Sequence, residues 1–145
     1  MPLTQSELVE VRLVKGKGRG VFARRAIRKG DVIERVPVLV LAVDQIKDAA
    51  VWGEVANYVF QWGEGTVALA LGYGSLYNHS YRPNARYDDG ARQKVFTALR
   101  DVAAGEEITI NYNGDPDDPE PVGFEVLEQA EVSPSASRAQ TVQRA

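Results

Sequence analysis

The sequence predicts a mainly β domain built from small sheets with short helices, and three observations carry that expectation. Six stretches alternate apolar with polar residues or run continuously apolar, as strands do: Val9 to Val14, Gly20 to Phe22, Val32 to Val43, Thr66 to Leu71, Lys94 to Leu99 and Ile108 to Tyr112. Glycine-acid pairs at Gly30-Asp31 and Gly105-Glu106 suit tight turns, because glycine tolerates positive φ. The best helical pattern is short: Asp44 is suited to capping free amides ahead of a helix through Ile46, Ala49 and Ala50 toward Trp52.

A chain of 145 residues, 44% of them hydrophobic, suffices for one domain with its own core. The formal charge of −3 argues against direct nucleic-acid binding, which needs a net basic face. Charge is unevenly placed. Arg12, Lys15, Lys17, Arg19, Arg24, Arg25, Arg28 and Lys29 crowd the N-terminal third, whereas Asp115, Asp117, Asp118, Glu120, Glu125, Glu128 and Glu131 follow the last predicted strand. Solvated surfaces account for both runs. An acidic rim that attracts a basic substrate segment is the sharper alternative. With no cysteine and one histidine, neither disulfides nor a protein-bound metal is expected. No stretch reads as a secretion signal or a membrane span, so a cytoplasmic location without a membrane partner is expected.

The domain itself is expected over residues 1–114, followed by an acidic extension at 115–131 and a small, polar tail at 132–145. Within the extension, Phe124, Val126 and Leu127 form a candidate docking segment. A weak internal echo relates 23–33 to 98–108. Each has an alanine, an arginine and an aliphatic residue, then a glycine-acid turn leading into a strand.

Three segments concentrate chemistry. Gly16-Lys17-Gly18-Arg19-Gly20-Val21-Phe22-Ala23 is a glycine-rich turn entering a strand, either a plain hairpin or a place where backbone approaches a ligand; it lacks the Lys-Ser/Thr ending of a phosphate loop. Residues 72–87 hold four of the six tyrosines and the sole histidine in a stretch expected to be irregular, which favours a site over a core element. Residues 105–114 end in Tyr112, placed to project into a cleft. Glu106 and Glu107 do not make an acid/base pair, since neighbours in a strand face opposite ways; they are expected to be turn and surface residues.

Taken together, Gly18-Arg19-Gly20-Val21-Phe22, Asn78-His79-Ser80 with Pro83-Asn84, and Gly105-Glu106-Glu107-Ile108-Thr109 with Asn111-Tyr112 resemble the SET-domain protein lysine methyltransferases in order and spacing, over roughly 9–114. The resemblance implies a β-clip-like SET fold, S-adenosyl-L-methionine as cofactor and a protein or peptide lysine as substrate. It implies that Lys17, Gly18 and Arg19 contact the methionine end of the cofactor, largely through backbone. Asn78 and His79 would hold the cofactor, with His79 giving main-chain bonds to the adenine. Tyr112 matches the tyrosine at the methyl-transfer centre and contacts both cofactor and amine, while Tyr87 matches a second tyrosine of the lysine channel. Ile110 falls where other members carry a channel aromatic. A short, bacterial- or viral-like member is implied, because the zinc-binding cysteine segment is missing and Tyr81 stands where many eukaryotic members have cysteine. The channel's outer wall would then come from 114–127, from a second subunit of a homodimer, or from the substrate. A catalytically idle SET fold that binds proteins is one alternative, and a non-enzymatic β-clip ligand-binding domain is another.

An unperturbed lysine has a pKa near ~10.4, so its amine must lose a proton before it can attack. A dry channel of tyrosine rings suits that task, and Tyr112 is expected to orient the nitrogen rather than act as a strong base.

Overall fold

A computed structural model describes residues 2–46 and 53–122. Among these, the elements are β1 (Val9–Val14), β2 (Gly18–Ala23), β3 (Val32–Ala42), α1 (Val43–Ile46), β4 (Val59–Gln61), β5 (Thr66–Ala70), β6 (Asn78–His79), β7 (Ala85–Gly90), β8 (Gln93–Ala98) and β9 (Glu107–Ile110). They form one sheet in the order β1-β2-β9-β6 and another in the order β4-β5-β3-β8-β7. The mainly β expectation is met, and each of the six predicted strands is present.

Three strands were not foreseen, each for a physical reason. β4 is only 3 residues long, too short for a period to show. β6 has 2 residues, both polar, and exists because β9 pairs with it in parallel. β7 is an edge strand of mostly exposed, charged residues that pairs with β8 over its whole length. Residues 72–87 are therefore not wholly irregular: they contain β6 and the start of β7. The helix also starts earlier than expected. Asp44 lies in the first turn of α1 rather than ahead of it, where its carboxylate still complements the positive end of the helix. The continuation toward Trp52, like the docking segment around Phe124, lies outside the described residues.

The internal echo has a structural counterpart. Ile27 and Val102 form an antiparallel bridge and exchange both backbone hydrogen bonds, each 2.8 Å. Around it the contacts repeat in pairs: Gly30 N–H donates to Ala98 O at 2.8 Å and Gly105 N–H to Ala23 O at 2.7 Å. Ala98 N–H donates to Asp31 O and Ala23 N–H to Glu106 O, each at 3.0 Å. The side chains follow the same rule, since Asp31 accepts from Arg28 N–H and Glu106 from Ala103 N–H. Gly30 and Gly105 have φ values of 89° and 85°, the left-handed turn that both sequences share. The two segments clasp each other about a local twofold, and by doing so set β2 beside β9 and β3 beside β8.

The core lies between the sheets and includes Val21, Ile27, Ile33, Val36, Phe96, Val102, Ile108 and Ile110. Tyr77 is fully buried, with its ring stacked 4.3 Å from that of Phe96. Its hydroxyl donates to Glu34 Oε1 at 2.8 Å, and Tyr73 N–H donates to Glu34 Oε2 at 3.0 Å, so one buried carboxylate ties the 73–77 turn to β3. Burial pushes the Glu34 carboxyl above the usual range, although these two donors pull the other way. Burial, followed by the charge of Glu34, keeps the Tyr77 phenol protonated well beyond its ordinary range.

The sign of the pH effect follows. A folded carboxyl with a raised pKa holds its proton more tightly than the unfolded one, so stability falls as pH rises from the ordinary carboxylate range through the raised value. Urea unfolding of wild type and Glu34→Gln at about pH 5 and about pH 7.5 should show the wild type losing ground to the variant at the higher pH. An equal change in both proteins would exclude the assigned burial.

Candidate active site

One buried carboxylate organises the first half of the site. Glu107, at the start of β9, was expected on the surface but is only 3% exposed. Its Oε2 accepts from Asn78 Nδ2 at 2.7 Å, and Lys17 Nζ lies 3.4 Å from Oε1 with both side chains buried. The strand faces opposite ways at successive residues, as expected, but both faces of β9 are covered. Glu106 is the more exposed of the two. Burial alone would raise its carboxyl, but bonds from Arg100, the Ala103 amide and Asn84, with the Arg100 charge, hold it below the ordinary range.

Gly20 lies where this network leaves no room for a side chain. A methyl group there would strike the Glu107 carboxylate and come within 2.9 Å of Asn78 Nδ2. The glycine-rich turn thus serves close packing on β9 and β6, while Gly18 has open space beside its Cα. Lys17 belongs to this network through its side chain as well as to the turn through its backbone. Its amide donates to Val14 O within the turn, and its side chain is committed to Glu107.

Asn78 donates its second amide hydrogen to Arg19 O at 2.9 Å. With a carbonyl and a carboxylate both facing Nδ2, the orientation of the amide is fixed, and Oδ1 remains as an acceptor. The parallel register bonds Ser80 N–H to Ile110 O, which turns the main chain of His79 toward the outer edge of β6. The His79 ring does something the sequence did not disclose. Its Nδ1 accepts from Tyr112 N–H at 2.9 Å, so the neutral ring carries its proton on Nε2, and it packs between Tyr81 and Tyr112 at 4.4 and 5.2 Å. Asn84 joins these strands by accepting from Thr109 N–H and donating to Glu107 O.

Tyr112 and Tyr87 meet in the second half of the site. The Tyr112 hydroxyl donates to Tyr77 O at 2.7 Å, and the Tyr87 hydroxyl donates to Tyr112 O at 3.2 Å. Both line a cavity of about 80 Å³ with Phe60, Gln61 and Asn113. Phe60 and Gln61 were missed because β4 was missed; the aromatic and β-branched run Tyr58-Val59-Phe60 ahead of Gly63 was the available signal. Ile110 is fully buried in the core and does not line this cavity.

The segment after β9 folds back over the same region. Asn111 Nδ2 donates to Asp118 O, Asn113 Nδ2 to Glu120 O, and the Tyr81 hydroxyl to Glu120 O, at 2.8, 2.8 and 3.0 Å. Asp115 and Asp117 thereby join Asp88 and Asp89 along a groove of about 660 Å³ that Tyr87 also lines.

Residues 18–113 match the SET domain family. The chain belongs to the SET domain family. A histone-lysine N-methyltransferase specific for H3 lysine-37 from Schizosaccharomyces pombe is 34% identical over 114 residues, covering 77% of each chain. The N-lysine methyltransferase KMT5A-A of Danio rerio is 30% identical over 117 residues, which cover 70% of this chain and 34% of that protein. Among solved structures, Plasmodium falciparum PFL0690c, named as a histone methyltransferase, superposes with a TM-score of 0.63 at 26% identity, covering 76% of this chain and 95% of that one. This SET domain is a protein-lysine methyltransferase. Among the described residues no group of side chains could hold a metal ion, and no helix is long and apolar enough to cross a membrane.

Breaking the central pair tests its weight. Glu107→Gln should lower stability by about 3 kcal/mol, because it leaves the Lys17 ammonium buried without its counter-charge. The double variant Lys17→Met/Glu107→Gln should recover much of that loss in urea unfolding.

Proposed function

We propose that this SET domain takes its methyl group from S-adenosylmethionine and delivers it, in the cavity of Tyr87 and Tyr112, to a lysine amine of a basic protein segment. The observation that carries the proposal is the chain of hydrogen bonds that joins His79 to Tyr112 and Tyr112 to Tyr87, with Asn78 next to His79 on β6. When bound, S-adenosylmethionine supplies an electrophilic methyl on a sulfonium. The residues present fit such a molecule: Asn78 Oδ1 is an acceptor for its ammonium, Gly18 gives open backbone, and the His79 main chain lies at a sheet edge suited to an adenine.

The chemistry left to the protein is orientation and exclusion of water. Because the Tyr112 proton is held on Tyr77 O, its oxygen faces the reaction as an acceptor that orients an amine N–H. A phenol in that state is a poor base. The His79 ring, bonded to the Tyr112 amide, fixes the backbone that carries this oxygen, so correct placement precedes substrate arrival. Phe60 and Tyr87 close the cavity with ring surface, which favours a neutral amine over a hydrated ammonium. The acidic groove beside Tyr87 supports a basic segment around the target lysine, and the names of the relatives make histones the first substrates to test.

Calorimetry with a chelator present should show S-adenosylmethionine binding that Asn78→Ala weakens. Incubation with methyl-labelled cofactor, using core histones and a cell extract in parallel, should label lysine in at least one protein. On that protein, Tyr112→Phe should slow single turnover by roughly tenfold or more while binding changes little, since it loses an orienting group that acts at the reacting centre. Full retention of rate would remove Tyr112 from its assigned place.

The cavity also bears on how many methyl groups are added. At about 80 Å³, and with both Tyr87 and Tyr112 in its lining, it favours monomethyl-lysine. Mass spectrometry after extended reaction should show Tyr87→Phe shifting product toward dimethyl-lysine, whereas abundant trimethyl-lysine from wild type would contradict the assignment.

A further inference from the structure

Lys94 lies at an inward position of β8, between Val36 of β3 and Asp89 of β7, where a buried strand residue would ordinarily be aliphatic. Its side chain has no exposed surface. Lysine is almost never buried so completely unless it is paired. Its ammonium bonds to Asp89, and it also sits 4.3 Å from the ring centre of Phe60, 4.4 Å from that of Tyr87 and 5.4 Å from that of Trp62. Phe60 and Tyr87 meet edge to face at 5.1 Å, and both line the cavity that holds Tyr112. The two rings therefore touch the ammonium and the cavity at once, while Lys94 itself does not line that cavity.

We propose that Lys94 is an electrostatic positioning residue for methyl transfer: its ammonium, fixed on the two rings that wall the lysine cavity, disfavours a protonated substrate amine there and so favours the neutral form that reacts. This rests on the assignment of that cavity as the lysine channel. Two effects act in the same direction. Rings whose negative faces already hold one cation offer less to a second. A fixed positive charge behind the wall also repels an incoming ammonium but not an amine. Asp89 opposes this, but incompletely, because its side chain is 46% exposed and water screens it more than it screens Lys94.

The other groups near the ammonium do not duplicate it. On β3, Glu34 shares the inward face but is held by Tyr73 and Tyr77, and Arg35 is exposed. On β7, Tyr87 supplies a ring and a phenol, while Arg86 and Asp88 bond to each other at alternate positions. β4 and β5 contain no charged residue, and the Tyr77 and Tyr112 phenols are committed as donors.

The test is the pH dependence of single-turnover rate on core histone or the labelled extract protein, with both substrates saturating. In wild type the rate rises as the bound amine deprotonates. Lys94→Met should move this rise upward by about half a pH unit to one unit, and Lys94→Arg, which keeps the charge, should return it to the wild-type position. Asp89→Asn, which removes the opposing carboxylate charge, should move it downward, and this arm stands even if Lys94→Met does not fold. A packing role alone predicts no such pair of opposite shifts. If Tyr87→Phe and Tyr112→Phe alter product and rate but neither Lys94→Met nor Asp89→Asn moves the profile, this inference fails and the channel assignment survives. If the tyrosine variants have no effect either, both fail.

Discussion

Ile27 and Val102 each give an amide to the other's carbonyl, and most of the architecture depends on that exchange. Neither segment has a continuous sheet of its own to satisfy its backbone groups at the turn, so each supplies what the other lacks. Because the two segments are alike, satisfying one satisfies its mate in the same geometry. The clasp leaves four strand ends in fixed relation. β2 must lie on β9, which brings the glycine-rich turn against Glu107, and β3 must lie on β8, which brings the inward face carrying Lys94 under the aromatic rings.

How much of this was legible depended on where each element gets its stability. Strands that bury their own apolar residues, such as β3 and β8, announced themselves through alternation. β6 has no such residues; Asn78 and His79 form a strand only because Thr109 and Ile110 present a matching edge, a fact stored 31 residues away and invisible to a local pattern. The candidate site residues were singled out through the resemblance and the density of polar groups. Their mutual contacts were not legible: nothing in Asn-His-Ser says that the imidazole would hold the Tyr112 amide. The misjudgement of Glu107 has the same cause. A carboxylate two residues from a glycine turn is ordinarily solvated, and only a lysine and an asparagine arriving from distant segments make its burial tolerable. The internal echo was visible, but its meaning was not, because a sequence repeat does not say that its copies face each other.

The site is built almost entirely by letting polar side chains finish one another's hydrogen bonds. Tyr87 holds a carbonyl of Tyr112, Tyr112 holds a carbonyl of Tyr77, and Tyr77 holds Glu34. Each phenol has its proton assigned, so each oxygen has a defined direction from which it can accept. That arrangement suits a transfer in which the protein must fix an amine without taking part covalently. It also explains why tyrosines, which combine a rigid ring with a single polar atom, dominate the region.

The parallel pairing of β6 with β9, and the Lys17 to Glu107 contact across 90 residues, have a bearing on how the protein is made. Nearly every contact in the half of the site built on Glu107 joins an early segment to a late one, so a nascent chain emerging N-terminus first has nothing to close against until β9 has appeared. Local hairpins such as β1 with β2 form at small entropic cost, but they leave Gly20 and Asn78 facing water. The competent pocket and the finished topology therefore arrive together. A molecule that binds this pocket recognises only completed chains, and adds its binding free energy to exactly those contacts that were last to form.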